Sequence, residues 1–278
     1  ESLQPLSDEL FGWVVAPHPG DLPQMPLFVS ASPPQPAIQA VLGVSRVADE
    51  SSAQALIAAL RRHAESGAPD VMPVLELSTG ESMRVPRQPW LAMVAGDSYG
   101  SWLEEGLRQC LLRHISHESE LGLEVKAARM SLDKGLSGEA ALSWKTLSLR
   151  QGRRVAVYYL SLPAVPGFHA VAVVEGENTL GLAAALDFNK ALEEALLEAI
   201  ARVQLETSTP RLPERPSLRR HVEQATATQA VSAPASSRDG VLAALERAGL
   251  RVLVHPWLAE PGVRSRGLLL GWVGLHAR

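Results

Sequence analysis

The most constraining feature of this chain is a recurrence. Three times, a run of glycine or other small residues leads into an Ala/Leu-rich amphipathic helix. The helices are AQALIAALRRHA before Gly67, SWLEEGLRQCLLRHI after GDSYG, and KALEEALLEAIARV after TLGLAAAL. Apolar residues at i, i+3, i+4 and i+7 give each helix one face that must be buried. The spacing predicts helices over 50–65, 101–116 and 189–206. Asp49, Ser51 or Ser52 would cap the first, and Asp187 or Asn189 the third. The pattern reads either as a weak internal repeat or as the common look of Ala/Leu helices.

Between these helices lie strand signals. RRVAVYYLSL is the strongest, rich in β-branched and aromatic residues. FHAVAVVEG is a second, set off by Pro163, Pro166 and Gly167. Phe11–Val15, Pro26–Ser30, Val71–Leu77, Trp90–Val94 and the alternating LSWKTLSL are read as further strands. SRDGVLAALERAGLRVLVHPW reads as a helix over 238–248, Gly249 as its C-terminal stop, and a strand over 251–257. GLLLGWVGL closes the chain as a strand. Residues 207–237 are rich in Pro, Ser, Thr and Ala and are expected to run over the surface, with a short helix near Leu218–Gln224. The whole reads as α+β, with weakly repeated strand–helix units in a single domain over 1–278. Its 278 residues suffice for a sizeable core.

Composition removes several function classes. Lys and Arg number 26 against 30 Asp and Glu, a net charge of -4, with no basic block to attract nucleic acid. No run approaches the roughly 18 apolar residues of a membrane span. One cysteine, Cys110, leaves no internal disulfide and no multi-cysteine metal site. The chain starts without Met and without a basic-then-apolar leader, so a processed or excerpted cytoplasmic protein is expected. Neither a phosphate-binding loop nor a dinucleotide fingerprint is present. Cys110 lies on the apolar face with Leu103, Leu107 and Leu111, as a buried thiol would. His114 and His117 share a helix face but lack the third ligand zinc requires.

The order of these segments resembles the YcaO family over most of the chain. In the first helix Gln54, Ala55, Ala59, Leu60 and Glu65 match the family pattern, while Arg62 replaces a glutamate. In the second segment Gly96, Ser98 and Arg113 match. Trp90 and Ala92 depart there, and Gln109, Leu112 and His114 stand where two glutamates and an aspartate are expected. In the third, Gly181, Ala191, Leu192, Ala195, Leu196, Glu198 and Ala199 match a glycine-rich turn and its helix. Glu194 replaces an arginine, and Ala201 a glutamine. The late helix–strand is also similar, with His255 and Trp257 departing from it.

The resemblance implies a YcaO-like domain whose relatives activate a peptide amide oxygen by phosphorylation, using ATP and magnesium held by helix glutamates. Azoline-forming cyclodehydratases and thioamide-forming enzymes belong to it. Magnesium wants several hard oxygens, and here only Glu65 and Glu198 keep their places as its ligands. Gly96, Ser98, Gln109, Arg113 and Gly181 complete the positions that the resemblance assigns to nucleotide and metal. Glu65 and Glu198 read equally as acids in i,i+4 pairs with Arg61 and Arg202. Arg62 and Arg113 could instead hold an anion, and GDS could cradle a phosphate or simply cap a helix.

Three functions follow. The first is a degenerate, non-catalytic partner, scaffold or peptide-binding component in ribosomal peptide modification. It would use no cofactor, bind a precursor peptide or an active partner protein, and could pair as a homodimer. The second is an active ATP- and magnesium-dependent amide-modifying enzyme. The third is an unrelated structural α/β protein.

Overall fold

The computed structural model describes residues 14–17, 26–30, 39–44, 50, 53–55, 57–58, 61, 65, 69–86, 91–117, 121–132, 136, 138–149, 154–205, 214–228, 236–257 and 269–277. Strands β1 (Val14–Pro17), β2 (Pro26–Ser30) and β3 (Gln39–Leu42) form a small antiparallel sheet. The described residues between 50 and 65 are helical, and we label them α1. Then follow β4 (Val71–Glu76), β5 (Ser82–Pro86), β6 (Leu91–Gly96), α2 (Tyr99–His117), β7 (Lys126–Met130) and α3 (Gly138–Leu149). The second half holds β8 (Val155–Ser161), β9 (His169–Glu175), β10 (Asn178–Ala185), α4 (Phe188–Gln204) and α5 (Arg219–Glu223). It ends with β11 (Thr226–Thr228), α6 (Arg238–Arg247), β12 (Leu250–Trp257) and β13 (Leu269–Ala277).

Two five-stranded sheets dominate, in the orders β10-β9-β8-β7-β11 and β5-β4-β12-β13-β6. Helices α2 and α6 share one hydrophobic cluster with both sheets. Along β9, Ala170, Ala172 and Val174 face that cluster, whereas Val171 and Val173 face α4 on the other side. Along β6, Ala92 and Val94 face α2, whereas Leu91 and Met93 join Met72, Val74 and Trp272 behind the sheet. Strands covered on both faces read as continuous apolar runs rather than alternations. Helix α2 meets apolar neighbours on much of its circumference, and Leu107, Leu111 and Ile115 are fully buried there. Each such side chain contributes about 2 kcal/mol by the area it removes from water.

The architecture is α+β, and most expected elements appear within a few residues of their expected bounds. Phe11–Trp13, at the start of the first expected strand, lies outside the described residues. LSWKTLSL is a helix, not a strand. Ala140, Trp144 and Leu147, at i, i+4 and i+7, turn one face onto the α4 cluster. Its apparent alternation came from polar residues interleaved around the helix, where Ser143 is buried and the Thr146 hydroxyl donates to the Leu142 carbonyl. TLGLAAA is not a turn but strand β10, almost wholly buried. The turns before α2 and α4 are therefore short, two residues each (Asp97–Ser98 and Leu186–Asp187), and each follows a buried strand. Strands β5 and β7 had no clear sequence signal.

The described part of 207–237 packs against the body. Leu218 is buried, β11 pairs in parallel with β7, and the Thr179 hydroxyl donates to the Pro216 carbonyl. The short helix falls where expected, as α5. Among the described residues no helix is long and apolar enough to cross a membrane.

Candidate functional site

The positions singled out by resemblance lie on α1, the end of β6 and the turn after it, α2, β10 and α4. An ion-pair network binds those helices together. Arg61 on α1 reaches Glu105 on α2 (3.1 Å). Glu105 also takes Arg108 through two bonds, at 2.6 and 2.8 Å, and the Gln109 amide at 2.9 Å. Arg108 crosses to α4, donating to Glu194 at 3.1 Å and to the Ala184 carbonyl at 3.4 Å. Further along α2, Arg113 donates to Glu65 at 2.6 Å and to the Leu91 carbonyl at 2.6 Å. The i,i+4 pair expected between Arg61 and Glu65 does not form, because each side chain turns to α2 instead. The i,i+4 pair of Glu198 and Arg202 does form, at 2.8 Å.

Glu198 is the most tightly held carboxylate. Its Oε1 accepts from Arg202 Nε and Arg215 Nε, both at 2.8 Å. Its Oε2 accepts from Arg215 Nη2 at 2.9 Å and from the Leu182 backbone N–H at 3.1 Å. A carboxylate offers about four lone-pair positions, and all four are taken. Burial by itself would raise the pKa of Glu198, but Arg215 and Arg202 outweigh it and hold the group below its ordinary range.

The remaining positions act within the fold. Gly96 ends β6. Ser98 caps α2, its Oγ accepting from the Ser101 N–H at 3.2 Å. The Ser101 hydroxyl in turn donates to Asp97 at 2.6 Å. That bond and a second from Ser98 lower the Asp97 pKa. The turn therefore follows the capping reading rather than presenting free N–H groups to a phosphate. Gly181 sits inside β10 under α4, where a β-carbon would overlap the Ala195 carbonyl oxygen. Gln109 spends its amide donor on Glu105, and Leu112 is buried. Cys110 is buried and its thiol is pushed up to about 12 by that burial. His114 is buried against the Leu123 carbonyl (2.8 Å). Arg62 and the His117 side chain lie outside the described residues.

Four carboxylates (Glu65, Glu105, Glu194, Glu198) thus meet five guanidiniums (Arg61, Arg108, Arg113, Arg202, Arg215). Four negative charges against five positive leave one positive charge. Among the described residues no three His, Cys, Asp or Glu side chains converge as a metal site would need. A divalent cation here would have to displace guanidiniums that are paired at hydrogen-bond distance with these acids. Sequence reading missed Arg108, Glu105 and Arg215. The first two lie one helical turn apart and carry an ordinary i,i+3 signal. Arg215 comes from a Pro-rich stretch 17 residues beyond its partner and carries none.

The network sets an acid limit. Burial would raise Glu105, yet Arg108 and Arg61 override it and hold the carboxyl at about 2. A depressed carboxyl contributes stability that is present above its unfolded value and lost as pH falls toward the folded one. For Glu105 that window runs from the ordinary glutamate value of 4.5 down to about 2. The loss is about 3 kcal/mol at full protonation. Glu194 moves the other way, raised by burial, and takes its proton before Glu105 does. Urea unfolding at pH 5, 4, 3 and 2.5 should show this falling limb, and Glu105→Gln should flatten it. An unchanged limb in that variant would mean that other acids set the limit.

No family model matches the chain, and no curated protein matches it by sequence. Solved structures do. YcaO from Methanopyrus kandleri bound with AMPPCP and Mg2+ matches with a TM-score of 0.65 at 16% identity, over 95% of this chain and 84% of that one. A heterocyclase in complex with substrate and cofactor matches with a TM-score of 0.58 at 14% identity, again over 95% of this chain. The match covers 49% of that heterocyclase, so the chain corresponds to about half its length. At these identities the likeness shows a shared fold: the chain is YcaO-like in architecture.

Proposed function

We propose that this chain is a YcaO-fold protein that has given up magnesium and nucleotide and serves ribosomal peptide modification as a peptide-binding or scaffold component. One observation carries the reading: every acceptor position of Glu198 is filled by Arg202, Arg215 and the Leu182 N–H. The other acid kept from the family pattern, Glu65, is bound to Arg113. Where the resemblance expects an arginine the chain has Glu194, and the cation facing it is Arg108 on α2. Charges have been exchanged across the helices, so that α2 and α4 hold each other without an ion between them.

The related heterocyclase was solved with substrate, and the Methanopyrus protein with AMPPCP and Mg2+. We carry over substrate binding from the first, with a peptide as the substrate proposed for this chain, and neither the cofactor of the first nor the nucleotide and magnesium of the second. Loss of the ion removes the charge neutralisation on which phosphoryl transfer depends, whereas a peptide can still be taken up by main-chain pairing at a sheet edge such as β5.

The test is direct. Purified protein should show no saturable magnesium-dependent ATP binding or turnover at millimolar nucleotide, with or without a precursor peptide encoded nearby, while that peptide binds. Saturable hydrolysis abolished by Glu65→Gln or Glu198→Gln would establish the active enzyme instead.

A further inference from the structure

Strand β5 ends its sheet, with β4 on one side and, among the described residues, no strand paired on the other. Which of its main-chain groups face outward follows from the hairpin. The Glu76 N–H donates to the Glu81 carbonyl at 2.9 Å, so these two residues form a hydrogen-bonded pair. Bonded and non-bonded pairs alternate along an antiparallel ladder. The register then makes Val74 with Met83 and Met72 with Val85 bonded pairs, and leaves Leu75 with Ser82, Pro73 with Arg84 and Val71 with Pro86 as the others. Ser82, Arg84 and Pro86 therefore turn their main-chain groups away from β4. The edge offers the N–H and C=O of Ser82 and Arg84 and the C=O of Pro86, which has no N–H. All three residues are exposed. The edge is also held in place, because the Leu77 N–H donates to the Val252 carbonyl at 2.8 Å and ties the hairpin to β12.

Side chains alternate between the faces of a strand, so Ser82, Arg84 and Pro86 share a face with Val71, Pro73 and Leu75. Val71 and Leu75 are 52% and 42% exposed, among the few large apolar side chains left so. Arg84 is the one charge on this face of the hairpin, since Asp70, Glu76 and Glu81 fall on the other by the same alternation. It has no ion-pair or side-chain hydrogen-bond partner among the described residues.

Charge decides what suits the edge. Full overlap of two β5 edges about a two-fold axis would set Arg84 directly against Arg84 of a second copy, and like charges placed opposite destabilise a sheet pair. A peptide strand with a carboxylate opposite Arg84 makes the favourable pair instead. A large apolar side chain opposite Ser82 reaches over that small residue toward Leu75, two strand spacings or about 10 Å away.

We propose that the β5 edge binds an extended peptide, running antiparallel to β5, in which an acidic residue is followed two positions later by a large apolar one. The acid pairs with Arg84 and the apolar residue lies over Ser82 against Leu75. The direction is that of every other described pair in this sheet. The proposal rests on the peptide-binding reading above and names the edge, the direction and the side chains that the reading leaves open.

The probe is a fluorescein-labelled, end-blocked peptide, Thr-Val-Thr-Asp-Thr-Phe-Thr, measured by anisotropy against the full chain. It should bind saturably. Methylating the Asp nitrogen, whose N–H faces β5, should weaken binding at least about tenfold, whereas methylating the Thr nitrogen between Asp and Phe, which faces away, should leave it within about twofold. Exchanging Asp and Phe should weaken it, and Arg84→Gln protein should bind about threefold less tightly, as expected for an exposed cross-strand charge pair. Ser82→Pro, which removes an outward N–H that β4 does not use, should abolish binding with an unchanged melting curve. The methylated peptides test the pairing even if that variant does not fold. Equal binding of the two methylated peptides, equal binding of the exchanged peptide, or no binding at millimolar peptide each overturns the edge proposal. So does a dimer of the free chain that Ser82→Pro dissociates, because a second copy then occupies the edge. The nearby-encoded precursor separates this from the broader reading. If it binds wild type and Ser82→Pro alike, the edge fails and the reading stands. If it does not bind wild type at all, the reading fails.

Discussion

Replacing Glu198 by Gln should lower the free energy of unfolding by about 3 kcal/mol, because removing one partner of a buried pair leaves the other charge uncompensated. The carboxylate and Arg202 are both well covered, at 14% and 16% side-chain exposure, so Arg202 has little water to turn to. Arg215 is 38% exposed and can swing outward, so Arg215→Gln should cost less than Glu198→Gln. The double variant should be more stable than the sum of the single losses predicts, since the second change removes a charge the first has stranded. Urea unfolding of the four proteins measures this. The sign also bears on function. Sites kept for a ligand tend to be held at the expense of stability. A magnesium site would therefore tolerate or gain from Glu198→Gln, whereas an internal ion-pair clasp loses. A neutral or stabilising result would count against the clasp and against the loss of the ion.

The helices and the strongest strands could be read from the chain because each carries its own period. Ala191, Ala195 and Ala199 recur at helical spacing, and the capping Asp187 precedes them in sequence. The strand β10 was misread because it is buried on both faces and built from Gly, Leu and Ala, which carry no alternation and little strand preference. The helix over Gly138–Leu149 was misread because its apolar face is narrow and its polar face imitates alternation. In the site, the departures from the acids that the resemblance leads one to expect were visible residue by residue. The arginines that pair with the remaining acids were not. Arg61, Arg108 and Arg113 look like ordinary solvated helix arginines, and only the tertiary arrangement that brings Glu65, Glu105 and Glu194 within their reach turns them inward. Arg215 depends on a segment that returns to the body through Leu218 and β11, a tertiary event with no local sign.

Gly181 is where these two levels meet, and Gly181→Ala should be among the most damaging single changes in the chain. The resemblance assigned this glycine to a turn that approaches phosphate. In the fold it lies within β10, at a register shift between Thr179 and Gly181, directly beneath α4. The helix turns its stripe of Ala191, Ala195 and Ala199, all fully buried, toward the sheet. That stripe brings the backbones so near that a methyl on residue 181 would overlap the Ala195 carbonyl oxygen, with the carbonyl carbon and the Ala199 nitrogen each 3.1 Å away. Backbone cannot be trimmed or rotated aside as a side chain can. The helix must lift, and the cost should reach about 3 kcal/mol, the upper part of the range for overpacking. Lifting α4 would also carry Glu198 away from the Leu182 N–H one residue further along the strand, so the clasp on Arg215 loosens with it. Thermal and urea unfolding of Gly181→Ala should therefore show a large loss together with a smaller additional effect of Glu198→Gln than in wild type. If the variant instead keeps full stability and the wild type proves to bind nucleotide that the variant cannot, Gly181 serves a phosphate after all, and the reading of α4 as a helix seated directly on the sheet would have to be abandoned.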